Sequence, residues 1–211
     1  KGRPGIGYGL TETNALGTMG AGDEYINNPS SAGRVVPPLT EIKIIDENWQ
    51  ELPEGKIGEV AIRSQSNMKG YWRNDDATAE CINSEGWFKS GDLGKFDGPF
   101  LYILDRLKDM VIRGGENIAC PEVEGAIYEH PDVLEASVFG IPDERLGEIL
   151  CSSICLREGS KLSVELLNEF LSDKLAAFKI PVKIKFTYNP LPKIASGKFD
   201  KPTMRQNFIE E

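Results

Sequence analysis

The sequence predicts an α+β protein in two parts, a β-rich first half followed by a smaller region in which helices and strands mix. Three observations point there. Residues 40–46 (TEIKIID) and 57–63 (IGEVAIR) alternate apolar with polar side chains, the period of a half-buried strand. Residues 164–177 instead place Leu166, Leu167, Phe170 and Leu171 on one face of a helix. Between these regions, near residues 105–109, the order of elements changes.

Gly55 and Gly58 lie near the boundary of the first two strands, which reads as two strands joined by a turn. Residues 75–82 (DDATAECI) read as a short helix opened by an acidic first turn, where carboxylates suit the helix dipole. Strands follow at 86–92 and 100–105 around an Asp97-Gly98 turn. Residues 109–118 form a hairpin-like stretch bent at Gly114-Gly115, and Pro121 then starts a helix over 122–129, a position that tolerates its missing N–H. Strands at 134–141 and 149–157, the amphipathic helix, a strand at 182–188 and a helix over 201–209 close the chain. With no internal repeat or low-complexity segment, the division falls into 1–105 and 106–211, with Lys108 in the boundary.

A chain of 211 residues can bury one large core or two small ones. Its 40% hydrophobic and 27% charged residues describe a soluble globular protein, and no apolar run approaches the length of a membrane span. A formal charge of −9 argues against a broad nucleic-acid surface, which needs concentrated Lys and Arg. Cys81, Cys120, Cys151 and Cys155 lack the spacing of a zinc site and read as buried thiols of a reducing compartment, hence a cytoplasmic location. The sequence starts at Lys1 inside a Gly-rich segment, without Met or signal peptide, which suggests a fragment.

Four segments carry candidate chemistry. In residues 5–17 (GIGYGLTETNALG), glycines let backbone N–H groups approach a phosphate, Thr11 can donate a hydrogen bond and Glu12 can coordinate magnesium; a plain turn also explains the glycines. In residues 86–93 (GWFKSGDL), Asp92 after Gly91 can accept bonds from both hydroxyls of a ribose if a tight turn holds it, or can simply cap that turn. In residues 105–124 (DRLKDMVIRGGENIACPEVE), Arg106 can bond a ribose and Gly114-Gly115 can let a thin ligand pass, or the pair can serve only as a hairpin turn. Residues 191–201 (LPKIASGKFDK) carry Lys193, Lys198 and Lys201, with Gly197 freeing the backbone before Lys198; solvated lysines before a helix are the alternative.

In this order and spacing the four segments resemble the motifs of the adenylate-forming (AMP-binding) superfamily: acyl-CoA synthetases, luciferases and the adenylation domains of peptide synthetases. The resemblance spans essentially the whole chain but only the later portion of such an enzyme. It implies that 1–105 ends a large adenylation domain as a β-rich subdomain and that 106–211 is a mobile α+β lid. It implies that Tyr8, Gly9, Thr11 and Glu12 bind AMP and magnesium, that Asp92 and Arg106 bind ribose, that Lys108 is a hinge, and that Lys198 promotes adenylation. Gly114, Gly115 and Glu116, in the form Gly-Gly-Glu-Asn, are similar to fatty-acid CoA ligases and imply CoA as acceptor. Lys89-Ser90 stands where many members have Arg-Thr, and Lys201 where an Arg often follows the lysine. The family's upstream phosphate loop and most of its acyl pocket are absent from the chain, so these 211 residues alone are expected not to complete adenylation.

The implied reaction consumes ATP with Mg2+, a carboxylic acid, and CoA. A carrier-protein thiol or oxygen as acceptor, or a non-catalytic nucleotide-binding module, are the competing readings. The lone His130, before Pro131, reads as a helix-end or packing residue, and no Ser or Cys has an evident His partner for a hydrolase triad. Trp49, Trp72 and Trp87 read as packing residues.

Overall fold

The computed structural model describes residues 2–210. The chain forms two compact units that divide between Leu107 and Lys108. That is two residues beyond the expected 105/106 division, because Arg106 ends a strand and pairs there with Asp92.

The first unit is one seven-stranded antiparallel sheet. Its strands are β1 (Gly5–Tyr8), β2 (Thr18–Ala21), β3 (Arg34–Val35), β4 (Thr40–Ile45), β5 (Gly58–Ser64), β6 (Phe88–Asp97) and β7 (Phe100–Arg106), ordered β1-β2-β3-β7-β6-β5-β4. Short helices α1 (Asp23–Asn27) and α2 (Asp75–Cys81) flank it, and Asn74 caps α2 by accepting the Ala77 N–H. Alternation splits β4 and β5 between two cores: Ile44, Val60 and Ile62 face one, Ile45 and Ala61 the other with Trp87. Lys43 and Arg63 lie over the Trp87 ring, at 4.3 and 4.7 Å from its centroid. Trp72, by contrast, is 87% exposed.

Two features of this unit differ from the sequence reading. The Gly-rich segment is not all loop: β1 and β2 pair from Gly5↔Ala21 to Tyr8↔Thr18, a strand pair hidden by glycine's poor strand propensity. The second difference is that Asp92 is not on a turn. The turn comes earlier, where Asn83 Oδ1 accepts the N–H groups of Glu85 and Trp87, and β6 runs on to Asp97 with Gly91 at φ +72° inside it.

The second unit is a five-stranded sheet with helices on both faces. β8 (Val111–Arg113) and β9 (Glu116–Ile118) form the hairpin, followed by α3 (Cys120–Tyr128), β10 (Val133–Asp143), β11 (Gly147–Leu156), α4 (Val164–Ser172), β12 (Lys183–Thr187) and α5 (Lys201–Ile209). The sheet runs β10-β11-β8-β9, and β12 joins β11 in parallel. Both faces are covered, which is why β10 and β11 read as continuous apolar runs. Val138, Leu150 and Ile154 pack with Val123, Ile127, Leu167 and Leu171 from α3 and α4; Phe139, Ile141, Cys151 and Cys155 pack with Met204 and Phe208 from α5.

Helix α4 stops at Ser172, five residues short of the expected 177, and the chain then turns through a short 3-10 segment at Ala177–Lys179. Leu175 and Phe178 still pack on the same core, so the apolar pattern outlasts the helical backbone. His130 follows α3, accepts the Asp132 N–H at its Nδ1 and packs edge-on against Phe170 at 4.9 Å. Cys120, Cys151 and Cys155 are buried, while Cys81 is half-buried. Among the described residues no helix is long and apolar enough to cross a membrane.

Candidate functional site

In the first unit, the sheet register gathers three of the expected nucleotide residues. Asp92 on β6 stands opposite Arg106 on β7, and Tyr8 ends β1. The Asp92 carboxylate is only 7% exposed; one oxygen lies 2.9 Å from Arg106 Nε, and the other accepts the Tyr8 hydroxyl at 2.6 Å. Ser90 Oγ accepts the Asp92 N–H at 3.1 Å, so the serine at this family-variable position keeps a positioning hydroxyl. Burial and the neighbouring Asp92 push the Tyr8 phenol far above its ordinary range, so it stays a donor. The result is an oriented carboxylate at a strand pair, with lone pairs beyond the two in use.

Thr11 and Glu12 lie in a 3-10 turn, Thr11–Thr13, that the fold clamps from two sides. Thr13 closes it locally: its hydroxyl accepts the Leu10 N–H at 3.0 Å and donates to the Leu10 carbonyl at 3.1 Å. From the segment after β5, Ser66 Oγ donates to the Thr13 carbonyl at 2.9 Å and the Met68 N–H to the Glu12 carbonyl at 2.7 Å. The Tyr71 hydroxyl donates to Glu12 Oε1 at 3.0 Å; burial first, and then Glu12 itself, push that phenol up to about 12. Sequence reasoning missed Ser66, Met68 and Tyr71, because no motif or spacing links them to residue 12.

Gly9 has a packing reason: a Cβ there would stand 2.5 Å from the Ala15 carbonyl carbon and oxygen. This contact accounts for the glycine without a phosphate. Among the described residues no three His, Cys, Asp or Glu side chains cluster as a metal site. Glu12 supplies the carboxylate of this turn, so a magnesium ion held there would take it as a single protein ligand and keep water and substrate phosphates as its other ligands.

In the second unit, Gly114 and Gly115 take φ of +60° and +88° between paired Arg113 and Glu116. A two-residue hairpin turn of this kind demands positive φ at both positions, so the turn explains the glycines on its own. All three residues from Gly114 to Glu116 are exposed, and Lys108 lies exposed in the 3-10 turn Leu107–Asp109.

Lys198 sits just past the tip of a second small hairpin. The Gly197 N–H bonds the Ile194 carbonyl and the Ile194 N–H bonds the Lys198 carbonyl, both at 2.9 Å, with Gly197 at φ +83°. The three lysines of this segment differ in their commitments. Lys193 pairs with Glu135, and Lys201 with Glu124 at 3.1 Å. Burial opposes the charge on Lys201, but Glu124, Cys120 and Asp109 outweigh it and raise its pKa. Lys198 is exposed and, among the described residues, has no side-chain partner.

Residues 3–72 match the family described as AMP-binding enzyme, and residues 122–198 the family described as AMP-binding enzyme C-terminal domain. The chain is 40% identical to the putative acyl-CoA synthetase YngI of Bacillus subtilis (strain 168) over 97% of its length and 38% of the relative's. It is 37% identical to the mitochondrial medium-chain acyl-CoA ligase ACSF2 of Danio rerio, over 95% of this chain and 33% of that one. Among solved structures it resembles ATP-bound MatB from Rhodopseudomonas palustris, with a TM-score of 0.86, 33% identity, and coverage of 95% of this chain and 39% of the other. The chain thus spans well under half the length of these relatives.

Proposed function

From the premise that this chain belongs to the adenylate-forming, AMP-binding enzyme superfamily, we propose that it is the C-terminal portion of an ATP-dependent acyl-CoA synthetase acting on a fatty or related carboxylic acid. The substrate carboxylate attacks the α-phosphorus of ATP, expelling pyrophosphate and leaving acyl-adenylate. The CoA thiol, losing its proton to solvent, then attacks the acyl carbon and expels AMP.

Lys198 neutralises charge that builds on the α-phosphoryl oxygens, which counts most in a water-poor cleft. The observation that carries this reading is that Lys198 alone of its segment's lysines is uncommitted, while its two neighbours hold the loop in place. Asp92 and Arg106 accept from and donate to the ribose. Glu12, held by Tyr71, offers a carboxylate to the magnesium that accompanies ATP and shields its phosphate charge. The exposed hairpin turn Gly114 to Glu116 is the surface offered to the pantetheine arm. The buried free thiols suit a cytoplasmic location.

The direct test gives the full-length protein ATP, Mg2+ and CoA with octanoate, palmitate, ferulate or oxalate, and measures pyrophosphate and acyl-CoA. Pyrophosphate release without acyl-CoA moves the acceptor to a carrier thiol or oxygen. Neither product with any acid overturns the reading.

The hinge proposal has its own test. Leu107 and Lys108 are exposed in a short turn between the two units, where a change in backbone angle disturbs little packing. Lys108→Pro fixes φ near −65° and is expected to slow one half-reaction at least tenfold more than the other. Equal rates of loss in pyrophosphate exchange and in thioester formation from supplied acyl-adenylate reduce Lys108 to a surface residue.

A further inference from the structure

The Lys198 hairpin stands in solvent: every residue from Pro192 to Lys198 is exposed, so no core holds it in place. Its internal bonds, including Asp200 N–H to the Pro192 carbonyl at 2.9 Å, fix its shape but not its direction. Direction must come from where its two limbs attach. The limb leaving it is tied by Lys201 to Glu124 on α3, which also accepts the Val138 N–H at 2.8 Å. The limb entering it is tied at two points to one side chain, Glu135: Oε2 accepts the Leu191 N–H at 2.8 Å, and Oε1 binds Lys193 Nζ.

Glu135 reaches that limb because of an irregularity in β10. The pairing of β10 with β11 shifts register between Val133 and Glu135. Under strict alternation Glu135 would share the face of Val133, which packs in the α3–α4 core. The bulge spends one residue, after which Ala136 and Val138 take that core, while Phe139 and Ile141 take the α5 side together with Leu191. Glu135 is thereby turned to the α5 side, where its carboxylate is 18% exposed. Lys193 is the main reason that carboxylate is held below its ordinary range, with burial opposing and Leu191 N–H assisting.

We propose that Glu135 is a positioning residue for adenylation, its two carboxylate oxygens pinning the entering limb of the Lys198 hairpin to the bulged start of β10. The proposal rests on the role given to Lys198 above. Because the hairpin's own bonds still form and its Lys201 tie remains, loss of Glu135 lets those bonds open more often and loosens the aim of Lys198 without removing it. A displacement on the order of 1 Å from a productive geometry costs up to about a hundredfold in rate.

The test uses the full-length protein carrying Glu135→Ala, with whichever of octanoate, palmitate, ferulate and oxalate the wild type turns over fastest. Pyrophosphate exchange is expected to fall about tenfold in kcat with KM for acid and ATP within about twofold, and thioester formation from acyl-adenylate to be kept. In a Lys198→Ala background the same change is expected to add less than about twofold, because the residue acts only through that lysine. By hydrogen exchange, the amides of Ile194 and Gly197 are expected to open faster while those pairing β10 with β11 do not.

Equal loss in both half-reactions, a full additional loss in the Lys198→Ala background, or unchanged exchange of the hairpin amides overturns the proposal. If Glu135→Ala does not fold, Glu135→Gln, which keeps an acceptor for Leu191, and Lys193→Met, which breaks the ion pair from the loop, are judged by the same criteria. Should Lys198→Ala itself leave activity unchanged, or no acid be turned over, the reading of Lys198 fails, and the exchange data still decide whether Glu135 holds the hairpin.

Discussion

Lys198→Ala in the full-length protein is expected to lower carboxylate-dependent ATP–pyrophosphate exchange about a hundred- to a thousandfold, roughly 2.7 to 4 kcal/mol of transition-state stabilisation. The magnitude is that of removing one preorganised electrostatic donor. Charge on the α-phosphoryl group develops during the reaction rather than on binding, so the loss falls on kcat more than on KM for the acid. Stability should hardly change, because the side chain is exposed and tied to nothing among the described residues. Thioester formation from supplied acyl-adenylate should be spared. Lys201→Ala makes the opposite comparison: that lysine is mostly buried against Glu124, and its loss leaves a carboxylate short of its partner, so it appears first as lower thermal stability. If Lys198→Ala stays within a few-fold of wild type while Lys201→Ala abolishes exchange in a folded protein, the catalytic assignment moves to Lys201.

The parts of the fold legible in the sequence are those in which one local rule acts alone. Residues 40–46 and 57–63 alternate because each strand divides its side chains between two cores, and β4 and β5 lie there. The Gly-Gly hairpin and the Pro-started helix after it follow from turn and cap chemistry. The strand pair β1–β2 was not legible, since Gly5 and Gly7 carry no strand signal and the pairing depends on Thr18 to Ala21 lying across from them. The bulge at Val133 to Glu135 was also hidden. Only the packing of both sheet faces shows that the alternation slips by one residue there.

The site divides in the same way. Tyr8, Asp92 and Arg106 stood out in sequence as members of separate motifs, and the sheet register is what joins them at a single carboxylate. The partners that hold the candidate side chains and the Lys198 loop stayed invisible: Tyr71 on Glu12, Ser90 beneath Asp92, Glu135 beneath Lys193. Each is an ordinary polar residue far from any motif, or inside one without a stated role, and its significance lies in a distance. A sequence presents residues that chemistry requires in a fixed order. It presents poorly those that only need to arrive at the right place.

Asp92→Ala is expected to act on both stability and nucleotide binding, and the two effects can be separated. The Tyr8 hydroxyl loses its acceptor in a partly buried position, which costs about 2 kcal/mol, whereas Arg106, with 46% of its side chain exposed, regains water and adds little. Asp92→Asn keeps an oxygen for Tyr8, so its stability should lie between the two. For the nucleotide, charge-assisted acceptance of the ribose hydroxyls by this carboxylate is worth about 1.5–3 kcal/mol in all, so KM for ATP should rise roughly ten- to a hundredfold in Asp92→Ala and by less in Asp92→Asn, which keeps a neutral acceptor, at a temperature where both are folded. The decisive measurement compares ATP with 2′,3′-dideoxy-ATP. Wild type should lose clearly more affinity for the analogue than Asp92→Ala does, since in that variant only Arg106 remains to meet the ribose hydroxyls. If wild type and Asp92→Ala discriminate between the nucleotides equally, Asp92 serves only to orient Tyr8 and Arg106, and ribose is held by other groups.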